Sequence, residues 1–376
     1  MQKTKKVFII LFVVLVAGLS SIVANRYIFP HLATTKLFAK YDFLKKTAAD
    51  VTVINKTEQV YVKEDTSISK VVGQALSSVV NVTSYVAGEK KNPLLKNGTG
   101  LIVTSDGLIM TYASAIIAEN ASYKVTTDNN NIYEATLLDI DVYSNLVFLK
   151  INASNLSAAS FANSDDAQPG EKIIAVGNDS PVYAPSFAAG VLSSFQAYYN
   201  LSEKSVASSE KMEGVFSADL NTQEHFIGGP IVDYSGQIIG ITGAVSRDNR
   251  ANFFQIPANK VRLVIDKEIK KEIATTPVLG LSYLPLTKIY ASINNLPSET
   301  GALIYSASGQ QGLAIIANSP AANAGLKIGD IITAVAGEKI DANNTLPDLL
   351  YRHKKGEQLE LTILRNTQEM KINVQL

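Results

Sequence analysis

Short apolar runs separated by polar turns fill the middle of the chain, from residue 79 to about residue 256. Runs of this length predict β-strands, and the turn sequences Ser105-Asp106-Gly107 and Tyr234-Ser235-Gly236 predict hairpins. The predicted strands lie at residues 79–86, 100–104, 108–111, 133–139, 146–151, 172–176, 191–195, 231–232 and 238–244. A single clear helical pattern follows them, over residues 257–273. This region is therefore predicted to be an all-β barrel or sandwich.

The N-terminal segment has a different pattern, because Lys3, Lys5 and Lys6 precede an uncharged apolar run over residues 7–24. Such a run is just long enough to cross a hydrocarbon core of roughly 30 Å as a helix. The basic flank predicts a signal anchor over residues 1–24, with a cytoplasmic N-terminus and the bulk of the chain outside. Cleavage after Ala24, as in a secretory signal peptide, remains the alternative.

Composition narrows the possible functions. The chain has 376 residues, of which 46% are hydrophobic and 18% charged, and this excludes wholesale disorder. Its formal net charge of zero gives no electrostatic reason to expect nucleic-acid binding. The absence of cysteine removes disulfides, thiolate nucleophiles and Cys-based metal sites. The three histidines, His31, His225 and His353, are too widely spaced to predict a metal site, so no cofactor is expected.

Several motifs occur in a fixed order through the predicted β region. They are Gly98-Thr99-Gly100-Leu101-Ile102-Val103-Thr104-Ser105-Asp106-Gly107, Asn145-Leu146-Val147-Phe148-Leu149-Lys150, Ala175-Val176-Gly177-Asn178, Ala189-Gly190-Val191-Leu192-Ser193, Gly228-Gly229-Pro230-Ile231-Val232 and Phe254-Gln255-Ile256-Pro257. The ordered set resembles the HtrA/DegP family of trypsin-like serine proteases. The resemblance implies a double β-barrel of two six-stranded barrels, with the active site in the cleft between them.

The same resemblance assigns three catalytic positions, and all three are substituted. Ser114 stands where the family has its histidine base, Asn145 where it has its aspartate, and Ile227 where it has its serine nucleophile. Such a triad needs a base for the serine proton and an acid to orient that base. Moreover, the sequence has no histidine between His31 and His225. The expected outcome is a catalytically inactive homologue with no catalytic residue.

The nucleophile loop departs from the family in a second way. His225 replaces a glycine whose backbone N–H points at the substrate oxyanion in the family, so we expect that donor to be turned away. Gly228 and Gly229 are retained and are interpreted as structural. The alternative is an active serine endopeptidase with a non-standard catalytic arrangement, for example a Ser–Lys dyad. Candidate lysines for such a dyad are Lys124, Lys150, Lys172 and Lys211.

The C-terminal part carries the most specific pattern. Residues 316–340 closely resemble the centre of a PDZ domain of bacterial HtrA proteins, with a capped helix starting at Ser319-Pro320 and ending at Gly325. The resemblance implies peptide binding by strand addition, with the peptide carboxylate held by the backbone of Val278-Leu279-Gly280-Leu281. Leu346 and Leu350, on a helix predicted over residues 345–352, are candidates for lining the side-chain pocket or for filling the domain core.

These observations predict four segments. They are a signal anchor at 1–24, a juxtamembrane tether at 25–67, a protease-like domain at 68–274 and a PDZ domain at 278–376. The predicted protein is a membrane-anchored, extracytoplasmic pseudoprotease. It is expected to act as a sensor, adaptor or holdase in envelope protein quality control. Its expected partners are C-termini or unfolded segments of proteins. The resemblance also implies a homotrimer or an assembly with an active paralogue.

Overall fold

A computed structural model of the chain describes residues 2–28, 32, 64–86, 94–117, 120–180, 182–202, 206–247 and 249–376. The chain divides into two units, Met1–Val62 and Lys63–Leu376. In the first unit, helix α1 covers Gln2–Val23 and continues as a π-helical turn over Ala24–Ile28. A membrane span is predicted here, but no helix in the described part of the chain combines the length and apolarity that a crossing requires. Most of the predicted tether lies outside the described residues.

The second unit begins with helix α2 (Glu64–Leu76), which leads into a closed six-stranded barrel. Its strands are β1 (Val79–Val86), β2 (Leu94–Ile102), β3 (Leu108–Tyr112), β4 (Ser122–Thr126), β5 (Ile132–Ile140) and β6 (Leu146–Ile151), in the order β1-β2-β3-β6-β5-β4. Alternate side chains point inwards, so Val80, Val82, Ile109, Val147 and Leu149 are fully buried in one cluster. This burial closes the first barrel.

A second closed barrel follows along the chain. Its strands are β7 (Lys172–Gly177), β8 (Ser186–Asn200), β10 (Glu213–Asp219), β11 (Pro230–Val232), β12 (Ile238–Arg247) and β13 (Arg250–Pro257), in the order β10-β13-β12-β11-β7-β8. The short strand β9 (Ala207–Ser208) lies between β8 and β10 in sequence but joins a third sheet. Helix α3 (Ala258–Ile269) leaves the second barrel and packs against β12 and β13.

The C-terminal domain is built on that third sheet. Its elements are β14 (Ser282–Pro285), α4 (Lys288–Ile293), β15 (Ala302–Ile304), α5 (Gln311–Ala314), α6 (Pro320–Asn323), β16 (Ile331–Val335), β17 (Glu338–Lys339), α7 (Leu346–Tyr351), β18 (Gln358–Arg365) and β19 (Gln368–Gln375). The strand order is β19-β18-β16-β15-β14-β9, with β17 paired to β16. At the start of α6, the Ser319 hydroxyl accepts the Ala322 N–H, as the capping sequence predicts.

The predicted fold class is confirmed for the two six-stranded barrels and the domain that follows them. Strands β1 and β6 have the predicted bounds, whereas β8 extends well beyond the predicted residues 191–195 in both directions. The predicted helix at 257–273 ends early, at Ile269, because Lys271 adopts a left-handed φ of 59° that a helix cannot contain.

Helix α7 fastens the C-terminal domain to the barrels. The Tyr351 ring stacks on Tyr143 with centroids 4.0 Å apart, and the Tyr351 hydroxyl donates to the Asp141 carboxylate at 3.1 Å. One turn earlier, Asp348 accepts from the Tyr143 hydroxyl and from Lys260 Nζ, the latter at 2.6 Å. These contacts are largely buried, so they define the position of the PDZ-like sheet on the barrels.

Candidate functional site

The three segments that carry the substituted triad positions meet around the end of β3. The Ala113 N–H, next to Ser114, donates to the Asn145 carbonyl at 2.9 Å. The backbone at Gly228, next to Ile227, packs against Tyr112, since a Cβ there would lie 3.2 Å from the Tyr112 nitrogen. The three segments therefore lie together at the end of β3, where the family resemblance predicts the cleft.

Ser114 and Asn145, at the positions predicted for the base and the acid, each have hydrogen-bond partners of their own. Ser114 lies exposed on a 3₁₀ turn over Ala113–Ala115, and its hydroxyl is 3.4 Å from the Ala244 carbonyl. Asn145 has a left-handed φ of 61°, which asparagine tolerates. Its amide nitrogen donates to the Tyr112 hydroxyl at 3.2 Å and its oxygen accepts from Lys211 Nζ at 2.6 Å. The position predicted for the acid thus holds a neutral amide that accepts from an ammonium group.

Ile227, at the position that the resemblance predicts for the nucleophile, has a hydrocarbon side chain. The Ile227 side chain is half-buried and packs against the core of the first barrel and against a buried cluster to which both barrels contribute. The following Gly228 has a φ of 84°, and a Cβ there would meet the Thr99 carbonyl oxygen at 2.3 Å. A Cβ at Gly229 would meet the Val176 carbonyl oxygen at 2.2 Å. Both glycines are required by close backbone packing, a role separate from catalysis.

His225 and its loop form internal hydrogen bonds. The His225 N–H donates to the Thr222 carbonyl at 3.1 Å within a 3₁₀ turn over Gln223–Phe226, so this N–H is directed into the turn. The imidazole is exposed, and its Nδ1 lies 2.8 Å from the Asp179 carboxylate, which raises the pKa of His225. Sequence reasoning missed Asp179 as a partner, because the two residues are distant in sequence and share no motif.

The candidate lysines for an alternative dyad have varied partners. Lys150 pairs with Asp106 at 2.7 Å and Lys124 with Glu134 at 3.0 Å. Lys172 lies 5.9 Å from the centroid of the Tyr234 ring. Lys211, besides its bond to Asn145, donates to the Val142 carbonyl at 2.7 Å. Of these four, Lys211 is therefore the one placed beside a former triad position.

The predicted carboxylate loop, Val278-Leu279-Gly280-Leu281, immediately precedes β14. Gly280 has a φ of 81°, and a Cβ there would lie 2.3 Å from the Ser319 Cβ. On one side of the loop, the Gly280 carbonyl accepts the Ile316 N–H at 2.9 Å and the Leu279 carbonyl accepts the Ala321 N–H at 2.9 Å. Leu279 and Leu281 are buried, whereas Val278 is exposed. The loop is thus rigidly seated, and glycine is needed at its centre.

The two candidate pocket leucines lie on α7. Leu346 is fully buried and Leu350 is 3% exposed, and both belong to the core of the C-terminal domain together with Leu349. Leu346 also lines a small cavity beside Tyr283 of β14, together with Ile340 and Thr345. Helix α7 therefore faces β14 as the resemblance implies, with its leucines covered.

A buried carboxyl that sequence reasoning missed lies beneath β14. Glu213, the first residue of β10, is 1% exposed, and its carboxylate accepts from the Tyr283 hydroxyl at 2.6 Å. Burial, with a smaller contribution from nearby Asp348, raises the pKa of Glu213 to about 7, while the Tyr283 hydrogen bond and Lys260 oppose the shift. The sequence around Glu213 is that of an ordinary surface glutamate beside a loop, so its burial could not be predicted. The burial results from the contact between the second barrel and the C-terminal domain.

The fold and the cleft together define a protein class, a trypsin-like double barrel followed by a PDZ domain. The sequence matches the trypsin-like peptidase domain family over residues 98–241 and the PDZ domain family over residues 277–376. The two matches and the fold together support an HtrA/DegP-like family member.

Named relatives agree with this assignment. A protein named "Probable periplasmic serine endoprotease DegP-like" from Brucella suis is 29% identical over 282 residues, which are 74% of this chain and 52% of that protein. A "Serine protease Do-like HtrA" from Lactococcus lactis is 27% identical over 364 residues, 86% of each chain. The chain thus spans about half the length of the Brucella relative.

Solved structures show the same fold. The HtrA-type protease AlgW with a tripeptide superimposes with a TM-score of 0.64 at 21% identity, covering 82% of this chain and 95% of that one. AlgW with a decapeptide gives a TM-score of 0.61 at 20% identity, with coverages of 82% and 97%.

Proposed function

We propose that this protein is a pseudoprotease that binds peptide segments through its PDZ domain. The observation that carries the proposal is Ile227, a hydrocarbon at the predicted nucleophile position whose side chain packs against the first barrel's core and a cluster shared by both barrels. A serine protease needs an oxygen nucleophile there and a base beside it. Ser114 and Asn145 at the other two positions, and the His225 N–H bonded to Thr222, support the same conclusion.

A second candidate function rests on one specific contact. The His225 imidazole is held by the Asp179 carboxylate at 2.8 Å, and a carboxylate-oriented histidine is the general base of many hydrolases. An active endopeptidase with a relocated base is therefore the alternative proposal. It requires a serine within hydrogen-bond reach of His225 in the substrate complex.

Protein degradation separates the two candidates. The purified full chain is incubated with unfolded casein, beside its His225→Ala variant and a matched His353→Ala variant. We expect no cleavage by any of the three proteins. Cleavage that disappears in His225→Ala and persists in His353→Ala would establish the relocated base and refute the pseudoprotease.

Peptide binding by the PDZ domain is supported by the seated carboxylate loop and by the named peptide complexes of AlgW. We expect a pool of random peptides with free C-termini to bind the full chain better than the same pool with amidated C-termini. Gly280→Val should abolish this difference, because the added side chain would collide with Ser319. Gly312→Val is the matched control, since a Cβ at Gly312 meets nothing within 4 Å. Equal binding of the two pools would refute C-terminal recognition.

Extracytoplasmic location, membrane attachment and a role in envelope protein quality control are parts of the same proposal. Most of the large apolar side chains of α1, including Phe8, Leu11 and Phe12, are more than half exposed and follow a basic flank in sequence. We expect the full chain to sediment with membranes and to resist extraction by alkaline carbonate. Release of a chain lacking residues 2–24 would agree, whereas a soluble full chain would refute attachment.

Assembly as a homotrimer, or with an active paralogue, rests on family resemblance alone. Light scattering of the detergent-solubilised chain measures its mass directly. A mass of three chains supports the homotrimer, and a single-chain mass would refute it.

A further inference from the structure

The edge of the PDZ sheet that a peptide needs is covered by the chain itself. On one side, β14 pairs with β15, and on the other it pairs with β9, so that Ser208 lies opposite Ser282 and Ala207 opposite Tyr283. The β9 segment runs antiparallel to β14, with its C-terminal end towards the carboxylate loop. This is the direction in which a C-terminal peptide adds to a PDZ domain.

The carboxylate loop is also engaged by this segment. The Gly280 N–H donates to the Glu210 carboxylate at 2.7 Å, and the Leu281 N–H donates to the Ser209 hydroxyl at 3.1 Å. The Leu281 carbonyl in turn accepts the Ser209 N–H at 3.1 Å. Side-chain oxygens of two consecutive residues thus occupy two backbone donors of the loop proposed to hold a peptide carboxylate.

The segment is shaped for this position. The hydroxyls of Ser208 and Ser209 donate to the Glu210 carboxylate at 2.8 and 2.6 Å, which orients the carboxylate towards the loop. Ala207 is 7% exposed and belongs to the PDZ core. The side chain of Asn200, at the end of β8, donates to the Ser208 carbonyl at 3.2 Å and accepts the Ser208 N–H at 3.2 Å.

We propose that residues 206–210 are an internal ligand of the PDZ domain, with the Glu210 side-chain carboxylate in place of a C-terminal carboxylate. This inference rests on the proposed peptide-binding function of the same groove. An incoming C-terminal peptide binds after the internal ligand leaves, so its apparent affinity is lowered by the fraction of molecules in which the groove is free. A groove that is free in about one molecule in ten binds peptide about tenfold more weakly than an empty one.

Amide hydrogen exchange tests occupancy of the groove without any peptide. In the full chain, Glu210→Gln removes the charge of the acceptor while keeping its shape, so exchange at Gly280 and Leu281 should accelerate about tenfold. Glu369→Gln is the matched control, because Glu369 is exposed on β19, at the opposite edge of the same sheet. Equal exchange in the Glu210→Gln variant, the control and the unmodified chain would overturn the internal ligand.

Peptide titration then separates this inference from the proposed function. The probe is a labelled peptide with the sequence of residues 201–209 and a free C-terminal carboxylate, which replaces the Glu210 side chain. We expect Glu210→Gln to bind it about tenfold more tightly than the unmodified chain and the Glu369→Gln variant. Equal affinity for all three proteins refutes the internal ligand and leaves peptide binding intact. If the probe and the random peptide pools bind none of them while exchange accelerates in Glu210→Gln, the segment is internal structure and peptide binding fails.

Discussion

At the scale of single residues, Glu213 is a buried carboxyl with a raised pKa beneath β14 of the PDZ domain. Its carboxyl is buried with one hydrogen bond, from Tyr283, and burial raises its pKa from 4.5 to about 7. Lys260, whose ammonium group also contacts the Glu213 carbonyl, offsets part of this cost. Protonated Glu213 is therefore favoured in the folded protein relative to the unfolded chain.

The raised pKa predicts a specific pH dependence of stability. Between about pH 4.5 and 7 the folded protein binds a proton at Glu213 that the unfolded chain has lost, so stability falls as the pH rises through this window. The free energy of unfolding is expected to fall by about 3 kcal/mol across this window. Glu213→Gln keeps the acceptor for Tyr283, so we expect it to be more stable than the unmodified chain at pH 8 and close to it at pH 4.5. Urea unfolding at both pH values measures this, and an equal difference at both would contradict the assignment.

Ile227 permits a second prediction for a single residue. Ile227→Ser restores an oxygen at the nucleophile position, but Ser114 and Asn145 supply neither base nor acid. Members of a triad act as a unit, so we expect no casein cleavage by this variant. Loss of the packing between the barrel cores should lower stability by about 2 kcal/mol. Any cleavage by Ile227→Ser, absent in Ile227→Ala, would show that a base is present.

At the scale of elements, helix α7 combines two tasks. Leu346 and Leu350 fill the PDZ core, while Asp348 accepts from Lys260 on α3 and from Tyr143 of the first barrel. One short helix thus contributes to the PDZ core and also contacts the barrels. Within the six residues of α7, the leucines face the PDZ core, whereas Asp348 and Tyr351 contact the barrels.

Removing Asp348 should therefore be costly. Asp348→Ala leaves the partly buried Lys260 ammonium and the buried Tyr143 hydroxyl without this acceptor, and breaking such a pair costs about 3 kcal/mol. Asp266→Ala is the matched control, because Asp266 is exposed on α3. We expect denaturant unfolding to show the loss in Asp348→Ala alone. A loss below 1 kcal/mol would mean that water replaces the aspartate.

The elements also show how far sequence alone could lead. The barrel strands and the cap at Ser319 follow from apolar runs and turn chemistry, and the family motifs order them. Strand β9 could not be predicted, because Ala207 and Ser208 carry no alternating pattern and pair with β14 across a long stretch of chain. Contacts of Glu213 and Asp179 are likewise set by tertiary structure. The barrel strands and the candidate triad positions could thus be predicted from the sequence. The tertiary contacts that these residues make could be identified only in the folded chain.

At the scale of the whole molecule, barrels and PDZ domain share one buried surface. The Tyr143–Tyr351 stack places a residue of α7 in the main barrel core, and Lys267 lies 4.2 Å from the Tyr351 ring centroid. Asp141 accepts from the same tyrosine. Such an interface resembles a domain core more than the polar contact typical of mobile domains.

Thermal unfolding tests this coupling. We expect the barrels and PDZ domain of the full chain to unfold in a single calorimetric transition. Tyr351→Ala should lower stability by about 3–5 kcal/mol and divide the transition in two, since it removes the shared ring. Tyr290→Ala, at a partly exposed site on α4, should leave one transition. Two transitions in the unmodified chain would show that the domains unfold independently.

The bond between Lys211 and Asn145 has a thermodynamic consequence. Lys211 directly follows Glu210 in sequence. Lys211 contacts Asn145, at the position predicted for the family's acid, and Glu210 contacts Gly280 in the PDZ groove. Coupling between two sites is reciprocal. A stronger Lys211–Asn145 interaction must therefore lower the affinity for an external peptide by the same factor by which that peptide weakens the interaction.

Asn145→Asp gives Lys211 an anionic partner, so we expect peptide affinity to fall about fivefold. Asn130→Asp, at a similar left-handed φ of 60°, should change nothing. A fall in neither variant would show that the two sites are uncoupled. A fall in Asn145→Asp alone would mean that a residue of the first barrel sets part of the free energy of ligand exchange at the PDZ groove.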